Sequence, residues 1–291
     1  MNITVWQRPG SNAPGPQALG YFAEGIKVCG DHVEIRDPLQ FRADDIRKAD
    51  VHVVYNPQFN NSDKIVATAT KHKKKTIIVE CGFFNPSSAE RLDPLRGYWL
   101  AGYGSGVKGE LDFRNESSPS DRWDAFGVPL EDWKSENYEN GHILMAMQLA
   151  GDPSLKGIHP DDWAQRTIAT LREHSDRGIV VRYSPYAKKH KTFAGCLHSF
   201  GDQPIEVDLR NATALCTYSS NAVVEALVSG IPVFADGPSI AGDLAEKDFT
   251  KIESPYCPDR EQWAHNLGYA QWTGEEMRQG LAWLHLRDDG E

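Results

Sequence analysis

The stretch YSSNAVVEALVSGIPVF, Tyr218 to Phe234, places two hydroxyl side chains, Ser219 and Ser220, at the end of an apolar run. Asn221 follows and opens a helical pattern. The free N–H groups and positive dipole end of such a helix favour a phosphate, and two rotatable hydroxyls add donors. Glu225 lies one turn further on, where a carboxylate can accept both hydroxyls of a ribose. Donors for a phosphate beside an acceptor for a sugar describe a nucleotide site. Each residue alone also reads as ordinary helix chemistry, with Ser220 or Asn221 as N-cap and Glu225 complementing the dipole.

Transfer of a group from a bound nucleotide to a hydroxyl would also need a base for that hydroxyl and charge relief for the leaving phosphate. Glu80 follows the apolar run Ile77 to Val79, at the C-terminal end of a predicted parallel strand, where α/β sites gather. Its plain alternative is a carboxylate capping a nearby loop; Glu110 and Asp112 are further acids. Arg182, closing another apolar run, and Lys108 can neutralise a diphosphate, although Arg182 can equally sit in an ion pair. Trp99, Tyr103 and Trp123 offer faces for a base or sugar, and buried aromatics are as often core. Gly102, Gly104, Gly106 and Gly109 suggest a flexible loop but do not match G-x-G-x-x-G after a strand. The acids lack a metal-ligand spacing, so no metal is expected.

The elements that must position these residues follow from the pattern. Runs at Ile3–Trp6, Val33–Ile35, Val51–Tyr55 and Thr76–Val79 read as strands. Helical stretches at Leu19–Val28, Ala43–Lys48 and Asp63–Lys71 alternate with them. From Cys81 to Asn140 no period is evident, and a stretch that long reads as an excursion lining a cleft. Strands at Ile143–Met147, Ile179–Arg182, Ala214–Tyr218 and Pro232–Ala235 then alternate with helices at Pro160–His174 and Asn221–Ser229. A short strand is expected at Ile205–Val207. The predicted class is α/β, with two Rossmann-like lobes facing a cleft. Residues 1–138 form the first lobe, including the excursion 82–138, and residues 139–266 the second. A C-terminal helix over 267–291 crosses back to dock on the first lobe.

Bulk properties narrow the classes. The 291 residues carry a net charge of -10, which excludes a general coat for nucleic acid or anionic membrane but not a local basic cleft. Two basic runs exist, Lys71 to Lys75 and Lys188 to Lys191. The first reads most simply as a solvated helix end. Five cysteines without C-x-x-C fit a reducing compartment. Neither a signal peptide nor an apolar run of ~18 residues is visible, so a cytoplasmic protein with no membrane partner is expected.

The segment Tyr218 to Phe234 resembles the C-terminal lobe of GT-B glycosyltransferases, in particular the capsular-polysaccharide group that includes Kdo and sialic-acid transferases. That resemblance implies that Ser219 and Ser220 bind the nucleotide phosphate. It also matches HILMAMQLAGD to that group's first C-lobe strand and turn, giving Gln148 and Asp152 donor roles, with Asn221 and Glu225. The group's His-Pro is here Ser184-Pro185, and its acidic pair before Gly is Glu80-Cys81. The first departure removes an imidazole, so a UDP-sugar is favoured and a CMP-sugar remains open. The chain is also similar, over nearly its whole length, to phage-encoded capsule-like proteins through YWLAGYGSGVKGELDF, SDRWDAFG and LGYAQWTGEEMRQGLAWLHL.

These readings imply an enzyme that moves a sugar from a nucleotide-sugar donor to a hydroxyl. Glu80 serves as base, and Gln148, Asp152, Arg182, Ser184, Ser219, Ser220, Asn221 and Glu225 bind the donor. Trp99, Tyr103 and Lys108 meet the acceptor. The acceptor divides between a glycan and hydroxymethylated pyrimidine in phage DNA, with DNA leading. A non-catalytic binding relic and a nucleotide-sugar epimerase are the alternatives.

Overall fold

The computed structural model describes residues 1–84, 93–134 and 139–287; parts of the expected excursion and tail at 85–92, 135–138 and 288–291 lie outside these. The chain forms two compact units. One comprises Met1–Gly106, Glu110–Trp123 and the chain from Ala264 onward; the other comprises Val107–Gly109 and Asp124–Trp263.

The first unit begins with β1 (Asn2–Trp6), α1 (Pro14–Val28), β2 (His32–Arg36), β3 (Val51–Tyr55), α2 (Ser62–Lys71) and β4 (Lys75–Cys81). The β-branched runs pair in parallel in the order β4-β3-β1-β2. Pro14 stands in the first turn of α1, so the helix starts earlier than the Gly/Pro-rich sequence suggests. Its face of Ala18, Leu19, Phe22, Ala23 and Ile26 is buried in the core. The expected helix at Ala43–Lys48 is a 3-10 turn.

The stretch expected to be irregular contains β5 (Tyr98–Tyr103), antiparallel to β4, followed by the short helix α3 (Asp121–Phe126). Gly102 hid this strand. A Cβ there would stand 2.8 Å from the Phe113 ring, so the glycine marks close packing and not a flexible loop.

The second unit holds β6 (His142–Ala146), α4 (Pro160–His174), β7 (Ile179–Arg182), β8 (Leu197–Ser199), α5 (Ile205–Leu209), β9 (Ala212–Thr217), α6 (Ala222–Val228), β10 (Val233–Ala235) and β11 (Ala245–Glu246). All six strands are parallel, in the order β11-β10-β9-β6-β7-β8. Residues 205–207, expected as a strand, belong to α5. Pro204 starts this helix, and Glu206 and Asp208 enrich its first turn.

After α7 (Glu261–Gly268) the chain adds β12 (Gln271–Thr273), α8 (Gly274–Arg278) and α9 (Leu281–Leu286). The expected single tail helix is thus a strand and two short helices, separated by Gly280 at φ 88. β12 pairs antiparallel with β5 at the edge of the first sheet. Trp283 is fully buried in the same core as Phe22, with ring centroids 6.3 Å apart.

Candidate functional site

In the second sheet the strand order reverses between β6 and β9, and a doubly wound sheet gathers ligands outside the C-terminal ends of its strands at that point. The turns leaving these two strands carry Gln148 and Ser219. The Ser219 N–H donates to Gln148 Oε1 at 2.9 Å, and Gln148 Nε2 lies 2.7 Å from both the Ser219 and Ser154 hydroxyls. Ser154 in turn donates to Asp152 Oδ1 at 2.6 Å. Asp152 also accepts the Ser154 N–H, so it caps the 3-10 turn Pro153–Leu155. The structure therefore brings Gln148, Asp152 and Ser219 into one network whose hub, Ser154, sequence reasoning missed. Ser154 lay two residues past the Gly151-Asp152 pair with no motif to mark it.

Ser220 accepts the Ala222 N–H at 3.3 Å and donates its own N–H to Thr217 Oγ1 at 3.1 Å. The cap of α6 is thus Ser220. Asn221 is exposed, already helical, and makes no capping bond.

Glu225 projects from α6. Its Oε2 is buried and has no hydrogen-bond partner among the described residues. Burial pushes this carboxyl up to about 7 from 4.5 against a bond from its own backbone N–H, which lowers it; Glu206 raises it further, while Arg182 and Lys108 pull it down. Lys108, expected to meet the acceptor, belongs to this second unit, and its charge acts on Glu225. Gly109 explains how it is held: a Cβ there would stand 2.6 Å from the Ser239 nitrogen, so only glycine lets this strip lie on Pro238–Ser239.

Arg182 is not presented for a diphosphate. It is 8% exposed and pairs through Nη1 with Asp208, while Nη2 donates to the Gln203 carbonyl at 2.7 Å. Ser199 donates to the same Asp208 carboxylate at 2.7 Å. The guanidinium is consumed by α5 and β8, and it reaches Glu225 only through its field. Ser184 accepts the Tyr186 N–H at 3.3 Å in the turn after β7.

In the first unit Glu80 sits near the end of β4, half-buried, opposite Leu100 of β5. The neighbouring Cys81 thiol lies 3.7 Å from the Tyr55 hydroxyl. Burial pushes the Tyr55 hydroxyl well up, and the charges of Cys81 and Glu80 add to it. The turn after Glu80 is pinned from the tail: Gln271 Oε1 accepts the Phe83 and Phe84 N–H groups at 2.9 and 3.3 Å. Gln271 is fully buried, and a lone Gln in an aromatic tail gave no warning of this role.

The aromatic candidates are corrected. Trp99 is 0% exposed, donates its Nε1–H to the Pro94 carbonyl and packs edge-on against Tyr55, so it is core. Trp123 is buried against Phe84. Tyr103 is 8% exposed, and Arg114 lies 4.7 Å over its ring, leaving no face for an acceptor. Asp112 bridges to Tyr103, which pairs with Ile77 of β4, away from Glu80. Among the described residues no cluster of His, Cys, Asp or Glu has the grouping of a metal site, and no helix is long and apolar enough to cross a membrane.

No family model matches the chain, and no curated protein resembles it in sequence. Solved structures do. The β-Kdo 2,4 transferase of KpsC from Thermosulfurimonas dismutans aligns over 91% of this chain and 89% of its own, at 16% identity and a TM-score of 0.59. The β-Kdo 2,7 transferase of the same protein aligns over 98% and 99%, at 14% identity and a TM-score of 0.54. The chain has the two-lobed, Rossmann-like α/β fold of the GT-B glycosyltransferases.

Proposed function

We propose that this protein is a glycosyltransferase that takes a sugar from a nucleotide-sugar donor, bound by the second unit, and passes it to a hydroxyl of a glycan. The observation that carries this reading is Glu225: a buried carboxylate oxygen without a partner, on the first helix after the Ser219–Ser220 turn. Leaving such a group unpaired costs about 1–3 kcal/mol. A ligand with paired hydroxyls, such as a ribose, relieves that cost by donating to it. Ser219, Ser220, Gln148 and Asp152 then shape the turn for the phosphate, with Lys108 as the nearby cation. Ser184 supplies a hydroxyl where an imidazole would favour a CMP leaving group, so a UDP-sugar is the preferred donor.

In the transfer, Glu80 takes the proton of the acceptor hydroxyl. The acceptor oxygen bonds to the anomeric carbon, the bond from that carbon to the donor phosphate breaks, and its electron pair leaves on the phosphate oxygen. A glycan is preferred to hydroxymethylated DNA as acceptor because Trp99, Trp123 and Tyr103, the rings a flipped base would stack on, are all buried. The KpsC transferases that share the fold also act in Kdo transfer by name.

The test incubates the protein with UDP-, GDP- and CMP-sugars and either acidic oligosaccharides or DNA containing 5-hydroxymethylcytosine, with mass spectrometry of the products. A sugar added to an oligosaccharide, and lost in Glu225→Ala, supports the reading. A sugar on the nucleoside would move the acceptor to DNA. Conversion of the donor's sugar without acceptor would make the protein an epimerase, and donor binding without any product a binding relic.

A further inference from the structure

The second basic run, Lys188 to Lys191, has no part in the transfer described above. It lies in the connection from β7 to β8, an edge strand of the second sheet. From Tyr183 to Gly201 the chain carries three lysines and no Asp or Glu, although its net charge is -10. Among the described residues none of these lysines pairs with a carboxylate. Lys188 and Lys189 are exposed, and Lys191 Nζ donates to the neutral Gln165 Oε1 at 3.2 Å. Asp161, one turn before Gln165 on α4, is an acid on the same side of that helix. A solvated loop explains the lysines alone. It does not explain the rings among them: Tyr186 is 65% exposed and Phe200 46%.

The surface is braced from within. Tyr183 is buried at the end of β7; its hydroxyl donates to the Lys191 carbonyl and accepts the Lys191 N–H at 3.1 Å. His190 packs edge-on against Tyr183 and Phe200, with centroids 4.8 and 4.9 Å away. A Cβ at Gly201 would stand 2.7 Å from the Pro185 nitrogen, so the turns after β7 and β8 press together. Lysines and rings are thereby held side by side. Lys188 to Thr192 form an unbroken exposed run, a projection suited to a broad flat partner. Phe200 is already stacked with Tyr183 and with His198, planes 10° and 13° apart, so it is no free platform for a nucleic-acid base. An anionic bilayer asks for less. Lysine heads reach its phosphates while their stems and a tyrosine lie at the interface. The acidic balance of the whole chain limits such a contact to this loop.

We propose that this loop docks the protein on an anionic membrane surface, with Lys188, Lys189 and Lys191 on the headgroup charges and Tyr186 and Phe200 at the boundary with the acyl chains. The inference stands on the loop and does not depend on the donor site or on the transfer reaction. The test sediments the full chain with vesicles of equal parts phosphatidylglycerol and phosphatidylcholine, and with vesicles of phosphatidylcholine alone. The expected result is salt-sensitive binding to the anionic vesicles that weakens roughly thirtyfold in Lys188→Gln/Lys189→Gln. Both positions are exposed, so the variant keeps the fold, which circular dichroism checks. Tyr186→Ser weakens binding by a smaller factor that salt does not change. Lys71→Gln/Lys73→Gln, the same charge change in the other basic run, leaves binding unaltered. Equal binding to neutral vesicles, no binding to anionic ones, an equal loss in Lys71→Gln/Lys73→Gln, or capture of a dT decamer that the vesicles cannot displace would each overturn the proposal.

Discussion

Gln148 and Ser219 bond to each other twice, N–H to Oε1 at 2.9 Å and Nε2 to Oγ at 2.7 Å, and so lace together the turns after β6 and β9. Gln148→Ala strands the Ser219 N–H and frees the Ser154 and Ser219 hydroxyls. The expected loss is about 1–3 kcal/mol of stability by urea unfolding, with weaker donor binding. Gln148→Glu keeps the acceptor for the N–H and should lose less. Equal stability of Gln148→Ala and wild type would show that the lacing is not structural.

Glu225 predicts a pH signature. Its folded value of about 7 lies above its ordinary 4.5. Its contribution is therefore fully present below pH 4.5 and is lost as pH rises through 7. Against Glu225→Gln, the wild type should be equally stable at low pH and less stable above pH 7, by on the order of 3 kcal/mol at most. A donor whose hydroxyls bond the ionised form should bind more tightly as pH rises through the same window. Urea titrations and donor calorimetry at several pH values check both signs.

The Arg182–Asp208 pair should behave as a buried ion pair. Asp208→Ala leaves an 8% exposed guanidinium uncompensated and should cost about 3–5 kcal/mol. Arg182→Met/Asp208→Leu should recover much of that. Because Arg182 lowers the Glu225 carboxyl, the double variant should titrate Glu225 higher than the wild type does, measurable by NMR of a labelled glutamate.

Trp99 should answer to stability and not to substrate. Trp99→Ala removes a fully buried indole and is expected to cost about 3–5 kcal/mol. Trp99→Phe should lose less, with no selective change in acceptor KM. A KM effect without loss of stability would return Trp99 to the acceptor site.

The doubly wound alternation was legible because parallel strands buried on both faces leave continuous β-branched runs, as in Val51–Tyr55 and Ile179–Arg182. What stayed hidden was local geometry set by distant chain. β5 carries Gly102 because Phe113 packs on it, and β12 is only three residues long. Of the candidate site, residue types marked Ser219 and Glu225 and the family resemblance marked Gln148; Gln148 and Ser219 lie on the turns at the reversal in strand order. Types could not reveal that Arg182 is committed to Asp208 or that Trp99 is core. Those facts depend on α5 and on the sheet interior, and a side chain's chemistry is the same with or without a partner.

Residues from Ala264 onward finish the first unit's sheet, although the whole of Asp124–Trp263 separates them from β5. On the ribosome the second unit is therefore complete before the first can close. Until β12 emerges, β5 waits with one backbone edge unpaired, and Gln271 is not yet there to hold the turn beyond Glu80. Translation thus delivers the second unit first and assembles the surroundings of Glu80 last, so a nascent chain that stalls before residue 271 would bear the Gln148–Ser219 network without a finished first sheet.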